Sequence, residues 1–168
     1  MRLYVDGYNV IFAPSAHDFH AESSESAREQ LLSLLSAYRH VTTDSITVVF
    51  DGHPRGRMYP QTQNLYGITV IFSEADADAD AVIKRLIAKE TNPQAVTVVT
   101  SDNSIRNFAK RFGAKRVGSE EFLRHVDRTL EHAHSSRRDD VPIEKYEGLR
   151  KDQVEYWLKI FGADKDEE

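Results

Sequence analysis

The sequence predicts an α/β fold: a three-layer α/β/α sandwich around a central, mostly parallel sheet of four to five strands, with an amphipathic C-terminal helix. Three observations carry this expectation. Short β-branched apolar runs recur along the chain, helical stripes separate them, and the runs lack the polar alternation of half-exposed antiparallel strands.

The strand candidates are Arg2–Val5, Ile46–Phe50, Ile68–Phe72 and Val96–Thr100, with a weaker one at Lys115–Val117. Between them, Ser24–Arg39 places Ala27, Leu31, Leu34, Leu35 and Tyr38 on one helical face. Ala79–Glu90 repeats the stripe with Val82, Ile83, Leu86 and Ile87. Asn103–Phe112 does so with Ile105, Phe108, Ala109 and Phe112, and Gly113 stands where a helix C-cap is expected. Ser119 is placed to cap a helix over Glu120–Leu130. The segment His53–Tyr66 reads as a polar loop.

Residues 1–130 are thus expected to form the main domain and 131–150 a linker of low hydrophobicity and mixed charge. Residues 151–168 would carry a short helix, Lys151–Phe161, and an acidic tail. Val154, Trp157, Leu158 and Phe161 make one apolar stripe there, which should dock on the main domain or on a partner.

Composition narrows the function classes. The 168 residues include no cysteine, which removes zinc–thiolate sites, thiol redox chemistry and cysteine nucleophiles. No apolar run approaches the roughly 20 residues of a membrane span, and MRLYVDGYNVIF lacks a signal-peptide pattern. A cytoplasmic protein with no membrane partner is expected. The net charge of −5 argues against binding nucleic acid through basicity alone, but not against an enzyme that concentrates acids at a metal site.

The acids fall in a pattern. Asp6-Gly7 ends the first strand, Asp51-Gly52 the second and Ser101-Asp102 the Val96–Thr100 strand, while Asp76, Asp78 and Asp80 follow Ile68–Phe72. Ligand sites of open α/β sheets form at the carboxyl ends of parallel strands, so these acids should share one edge. Like charges held together raise one another's pKa unless a cation neutralises them. Mg²⁺ or Mn²⁺, which prefer oxygen ligands, would do so, and phosphodiester hydrolysis is the chemistry such an ion supports. Asp6, Asp80, Asp102 and, secondarily, Asp78 are the expected ligands. Each acid also has a plainer use: Asp-Gly is a turn dipeptide, Asp102 suits a helix N-cap, and acids in a first helical turn complement the dipole. Asn9 is either a turn or capping residue or an amide that orients water or phosphate. Arg28, Arg55, Arg57, Arg106 and Lys110 are candidates for phosphate contacts with RNA.

VDGYNVI (Val5–Ile11), AREQLLSLL (Ala27–Leu35), VVFDG (Val48–Gly52), ADAVIKRL (Ala79–Leu86) and VVTSD (Val98–Asp102) occur in an order that resembles the YacP-like branch of the NYN family, part of the PIN-domain-like nucleases. The resemblance covers about Met1 to Leu130 and extends to the C-terminal helix. It implies a metal-dependent endoribonuclease in which Asp6, Asn9, Asp51, Asp80 and Asp102 match active-site positions and Arg28 a nearby basic one. It also implies messenger-RNA decay, with the ribosome as a partner. Relatives often carry a Glu-Thr pair where this chain has Ala77-Asp78, which leaves the second acidic ligand open. A catalytically silent RNA-binding module and a flap-type DNA nuclease are the competing readings. Tyr8 occupies the place of a dehalogenase-type second aspartate, and DGYNVI lacks a dinucleotide-binding Gly-x-Gly-x-x-Gly turn.

Overall fold

The computed structural model describes residues 1–14, 19, 23–52, 62–73 and 78–138, with side chains through 135. Arg55, Arg57, Asp76 and the helix expected over Lys151–Phe161 lie outside the described residues. The chain divides into a compact unit over Met1–Ala133 and a second over His134–Glu168.

Among the described residues six strands form one sheet in the order β3-β4-β2-β1-β5-β6. They are β1 (Arg2–Asp6), β2 (Ser45–Phe50), β3 (Thr62–Leu65), β4 (Ile68–Phe72), β5 (Val96–Val99) and β6 (Lys115–Val117). All neighbours are parallel except β3 and β4. The central strands are apolar on both sides because helices cover both faces: all of β5 (VTVV) is buried, as are Leu3–Val5 of β1.

One face is covered by α1 (Gly7–Ile11), α2 (Ser24–Val41) and α5 (Ser119–Arg138). Val10, Leu31, Leu35, Tyr38, Phe122, Leu123 and Val126 pack there against Leu3, Val5, Val48, Phe50 and Val99. The other face is covered by α3 (Ala79–Lys89) and α4 (Asn103–Arg111), whose Val82, Ile83, Ile87, Ile105 and Ala109 meet Tyr4, Val49, Val96 and Val98. The helix ends follow local chemistry. Ser23 caps α2 by accepting from the Ser26 N–H. Gly113, at φ +80°, closes α4 with Ala114 N–H donating to Ala109 O and Gly113 N–H to Lys110 O, the pairing of a Schellman motif.

Three features depart from the sequence expectation. The sheet has six strands, not four to five, because TQNL (Thr62–Leu65) pairs antiparallel with β4 within the stretch read as a loop. Tyr66 and Gly67, both at positive φ, form the two-residue turn between them, as a type I′ hairpin requires. Asp6-Gly7 leads into the one-turn helix α1, which was not anticipated. The helix expected over Glu120–Leu130 continues to Arg138, and Ser119 does not cap it with its hydroxyl, which reaches Asn9 instead.

β1 sits between β2 and β5, and the chain builds first to one side of it and then to the other. The switch point lies between β1 and β5, where the carboxyl ends of the two strands leave a crevice. At its base Gly7 lets α1 lie directly on Phe50: a Cβ at Gly7 would stand 2.3 Å from the Phe50 ring. Gly7→Ala is expected to overpack this contact and destabilise the fold by roughly 1–3 kcal/mol, read as a lower urea midpoint with an unchanged m-value.

Candidate active site

Five carboxylates meet at the switch point. Asp6, Asp51, Asp78, Asp80 and Asp102 line one cleft of about 580 Å³, together with Tyr8, Asn9, Phe12 and Ser101. They arrive from four separate elements. Asp6 is the last residue of β1, Asp51 follows β2, Asp78 and Asp80 open α3, and Asp102 opens α4.

Asp6 is half-buried at the end of β1. It caps α1 by accepting from the Asn9 N–H at 3.3 Å, and its Oδ2 accepts from the Thr100 hydroxyl at 3.1 Å. Burial pushes its carboxyl above the usual carboxylate range, the two hydrogen bonds pull it partly back, and the charges of Asp102 and Asp80 push it up again. The Thr100 hydroxyl also accepts from the Asp102 N–H at 3.0 Å, so one buried side chain fixes two of the acids.

Asp102 is the N-cap of α4: its Oδ1 accepts from the Ser104 N–H at 2.7 Å and the Ile105 N–H at 3.1 Å. Asp78 is the N-cap of α3, accepting from the Ala81 N–H at 2.8 Å. Both carry out the plainer role that the sequence allowed, while still facing the cleft. Asp80, in the first turn of α3, is paired with Lys84, whose Nζ donates to Oδ2 at 3.1 Å and stands 2.8 Å from Oδ1. Asp80 Oδ1 is buried and, although the Lys84 ammonium is close to it, has no hydrogen bond of good geometry among the described residues. Asp51 is held through Oδ1 by the hydroxyl of Ser73, at 2.8 Å; that hydroxyl in turn accepts from the Gly52 N–H at 2.9 Å.

Asn9 lines the cleft and also has a structural use. Its carbonyl oxygen is already occupied, accepting from the Ser101 N–H at 2.8 Å and the Ser119 hydroxyl at 2.6 Å. It braces α1 against the turn after β5 and the start of α5. The described basic candidates lie off the cleft wall. Arg28 donates to the Tyr8 hydroxyl at 2.7 Å and lies over the Phe50 and Phe72 rings, Arg106 donates to Thr100 O at 3.3 Å, and Lys110 is exposed on α4.

Sequence reasoning missed Ser73, Thr100, Ser119 and Lys84. The three hydroxyls are fully buried, and only the fold reveals that they are turned toward acids or Asn9. Lys84 had a readable signal, the i, i+4 spacing from Asp80.

The donor set suits a hard cation. Every acid side chain lining the cleft offers oxygen, and the buried Asp80 Oδ1 has no hydrogen bond of good geometry among the described residues. Among the described residues no three acidic or histidine side chains stand close enough together to hold a metal ion between them. That openness matches Mg²⁺-type sites, which use one or two carboxylates and leave the other positions to water and substrate phosphate. A second cleft of about 660 Å³, lined by Leu3, Tyr38, Arg116, Phe122, His125 and Arg128 among others, contains only Glu121 as an acid and has no comparable chemistry.

The sequence model of the YacP-like NYN domain family matches residues 3–161 of this chain. The chain belongs to that family. NYN domains of this branch are PIN-like nuclease domains, a class that generally works with divalent metal. The chain is 34% identical over 149 residues to the YacP protein of Bacillus subtilis (strain 168), covering 87% of this chain and 86% of that protein. It also matches the crystal structure of Rae1 (YacP) from Bacillus subtilis at a TM-score of 0.70 and 32% identity, over 96% of this chain and 92% of that one. A point mutant of Rae1 matches at a TM-score of 0.68 and 30% identity, over 86% and 87%. Among the described residues no helix of this family member is long and apolar enough to cross a membrane.

The raised pKa of Asp6 gives a signed expectation. A carboxyl whose folded pKa exceeds its unfolded value opposes folding while charged, and the opposition fades as pH falls through the folded value. Asp6→Asn should therefore raise the Tm of metal-free protein at neutral pH, with the gain shrinking in acid. Thermal scans in EDTA across that range check it, and an equal gain at both ends would refute the burial account.

Proposed function

We propose that the protein is a divalent-metal-dependent endoribonuclease that hydrolyses RNA phosphodiester bonds at this cleft. The observation that carries the reading is the convergence of Asp6, Asp51, Asp78, Asp80 and Asp102 on one cleft at the sheet's switch point. A pure binding module would gain affinity for RNA by losing these charges.

In this reading Asp6, Asp80 and Asp102 hold Mg²⁺ or Mn²⁺, with Asp78 as an additional acidic ligand. When bound, the ion supplies polarisation of the phosphoryl oxygen and a lowered pKa for water. The protein's own contribution is placement. Thr100 fixes Asp6 and Asp102 in one register, and Ser73 fixes Asp51 so that its other oxygen can accept from the attacking water. Lys84 neutralises Asp80 before the ion arrives. Asn9 acts as a positioning residue, through the brace it forms with Ser101 and Ser119. Water adds at phosphorus, the bridging P–O bond breaks, and the proton passes to the leaving oxygen, giving a phosphate monoester and a free hydroxyl. Lys110, and Arg55 and Arg57 outside the described residues, would steer the phosphate backbone. Messenger RNA as the physiological substrate, the ribosome as a partner and a cytoplasmic location belong to the same proposal.

Labelled single-stranded RNA, matching DNA and duplex RNA, each with Mg²⁺, Mn²⁺ or EDTA, provide the test. Cutting of RNA should require metal and fall by at least about 100-fold in Asp6→Asn and Asp80→Asn. Cutting that survives in both variants would remove the cleft from consideration, and preferential cutting of DNA would favour the flap-nuclease alternative. Thr100→Val, which deletes a hydroxyl serving two acids, should weaken metal binding or activity by roughly 10–100-fold, measured by calorimetric titration of Mn²⁺.

A further inference from the structure

Two aromatic side chains line the acid cleft beside the carboxylates. They are Tyr8, in α1, and Phe12, the residue that caps its C-terminal end four positions later. Their rings are stacked, with centroids 5.9 Å apart and planes 15° from parallel. Tyr8 stands edge-on to Phe50 at 5.3 Å, and Phe50 stacks on Phe72 at 5.8 Å. Arg28 locks the base of this ladder, with its guanidinium 6.0 Å and 5.8 Å from the two inner ring centroids and a hydrogen bond to the Tyr8 hydroxyl. The ladder runs from the core outward: Phe50 is fully buried, Tyr8 half-buried, and Phe12 is 76% exposed.

A phenylalanine exposed to that extent gains little for folding, yet here it is the last rung of a rigid stack beside a cluster of acids. Rigid aromatic faces beside a phosphate-processing site have a natural ligand in an unpaired nucleobase, which stacks on them without regard to its identity. A base inside a duplex has both faces covered by its neighbours.

We propose that Phe12, held in place by Tyr8 and Arg28, is a base-stacking platform that takes one unpaired nucleobase of the substrate strand and sets the neighbouring phosphate at the acids. The substrate is therefore single-stranded at the cleaved position, and tolerant of base identity there. This rests on the nuclease reading of the same cleft, but it can be tested without turnover.

The test uses single-stranded RNA carrying 2-aminopurine at successive positions, with the full chain at low salt in EDTA. Protein should quench the label in the single strand and leave it unchanged in the matching duplex. Phe12→Ala should abolish the quench and weaken binding by about tenfold to a hundredfold, with KM rising by a similar factor in any cleavage assay. Phe12→Trp should restore both, whereas Phe12→Leu, which keeps the hydrophobic bulk without a stacking face, should not. Rescue by Phe12→Leu, or binding unchanged in Phe12→Ala, would overturn the platform. A marked fall in Tm for Phe12→Ala would do the same, by showing that the ring packs within the protein. Quenching by wild type without cleavage under any metal would uphold the platform while overturning the nuclease. Cleavage indifferent to Phe12 would leave the nuclease standing and overturn the platform.

Discussion

The carbonyl oxygen of Asn9 accepts hydrogen bonds from partners 92 and 110 residues further along the chain, and this pair of hydrogen bonds ties together segments that border the acid cleft. It joins the short helix after the first strand, the turn after β5 and the start of α5 at a single atom. Those segments flank the switch point of the sheet, where two halves of the fold could otherwise shift relative to each other. Thr100 repeats the arrangement one layer deeper, linking Asp6 to the backbone of Asp102. Two small polar side chains therefore set the spacing of carboxylates that strand pairing alone would leave loosely related.

Electrostatics oppose this arrangement. Asp6 is desolvated and close enough to Asp80 and Asp102 to feel both charges, so the folded state without a cation holds like charges together. Relief comes locally. Asp102 and Asp78 direct one oxygen each into helix N-termini, Ser73 donates to Asp51, and Lys84 serves as an internal counter-ion for Asp80. The hydrophobic layers on both faces of the sheet hold the strand ends in register against the remaining repulsion. A cation bound at the cleft would remove that repulsion, linking occupancy to stability.

Much of this was legible in the sequence, for identifiable reasons. Four of the six described strands are apolar runs, and four helices carry a 3.6-residue stripe, because elements covered on both faces or packed along one stripe record burial in composition. TQNL escaped because an edge strand with alternating half-exposed positions needs no apolar residues, although the Tyr-Gly turn beside it was a usable clue. The GYNVI helix is too short to show a period, and the end of α5 is polar along its length. The acids were visible because each directly follows a strand or opens a helix. Their supporting hydroxyls were not, since a buried serine or threonine looks like any other until the fold reveals its partner. Phe12 was hidden differently: within NVIF it reads as one more core residue.

Both edges of the sheet are poor templates for a further strand. On one side the last strand, β6, is three residues long and contributes Lys115 and Arg116, charged and exposed. On the other, β3 is four residues of mostly polar sequence, turned back by a tight hairpin. Short, charged or polar borders of this kind discourage edge-to-edge pairing between molecules. Such a chain can keep a nearly all-apolar central sheet, rich in valine and isoleucine, without offering it for aggregation.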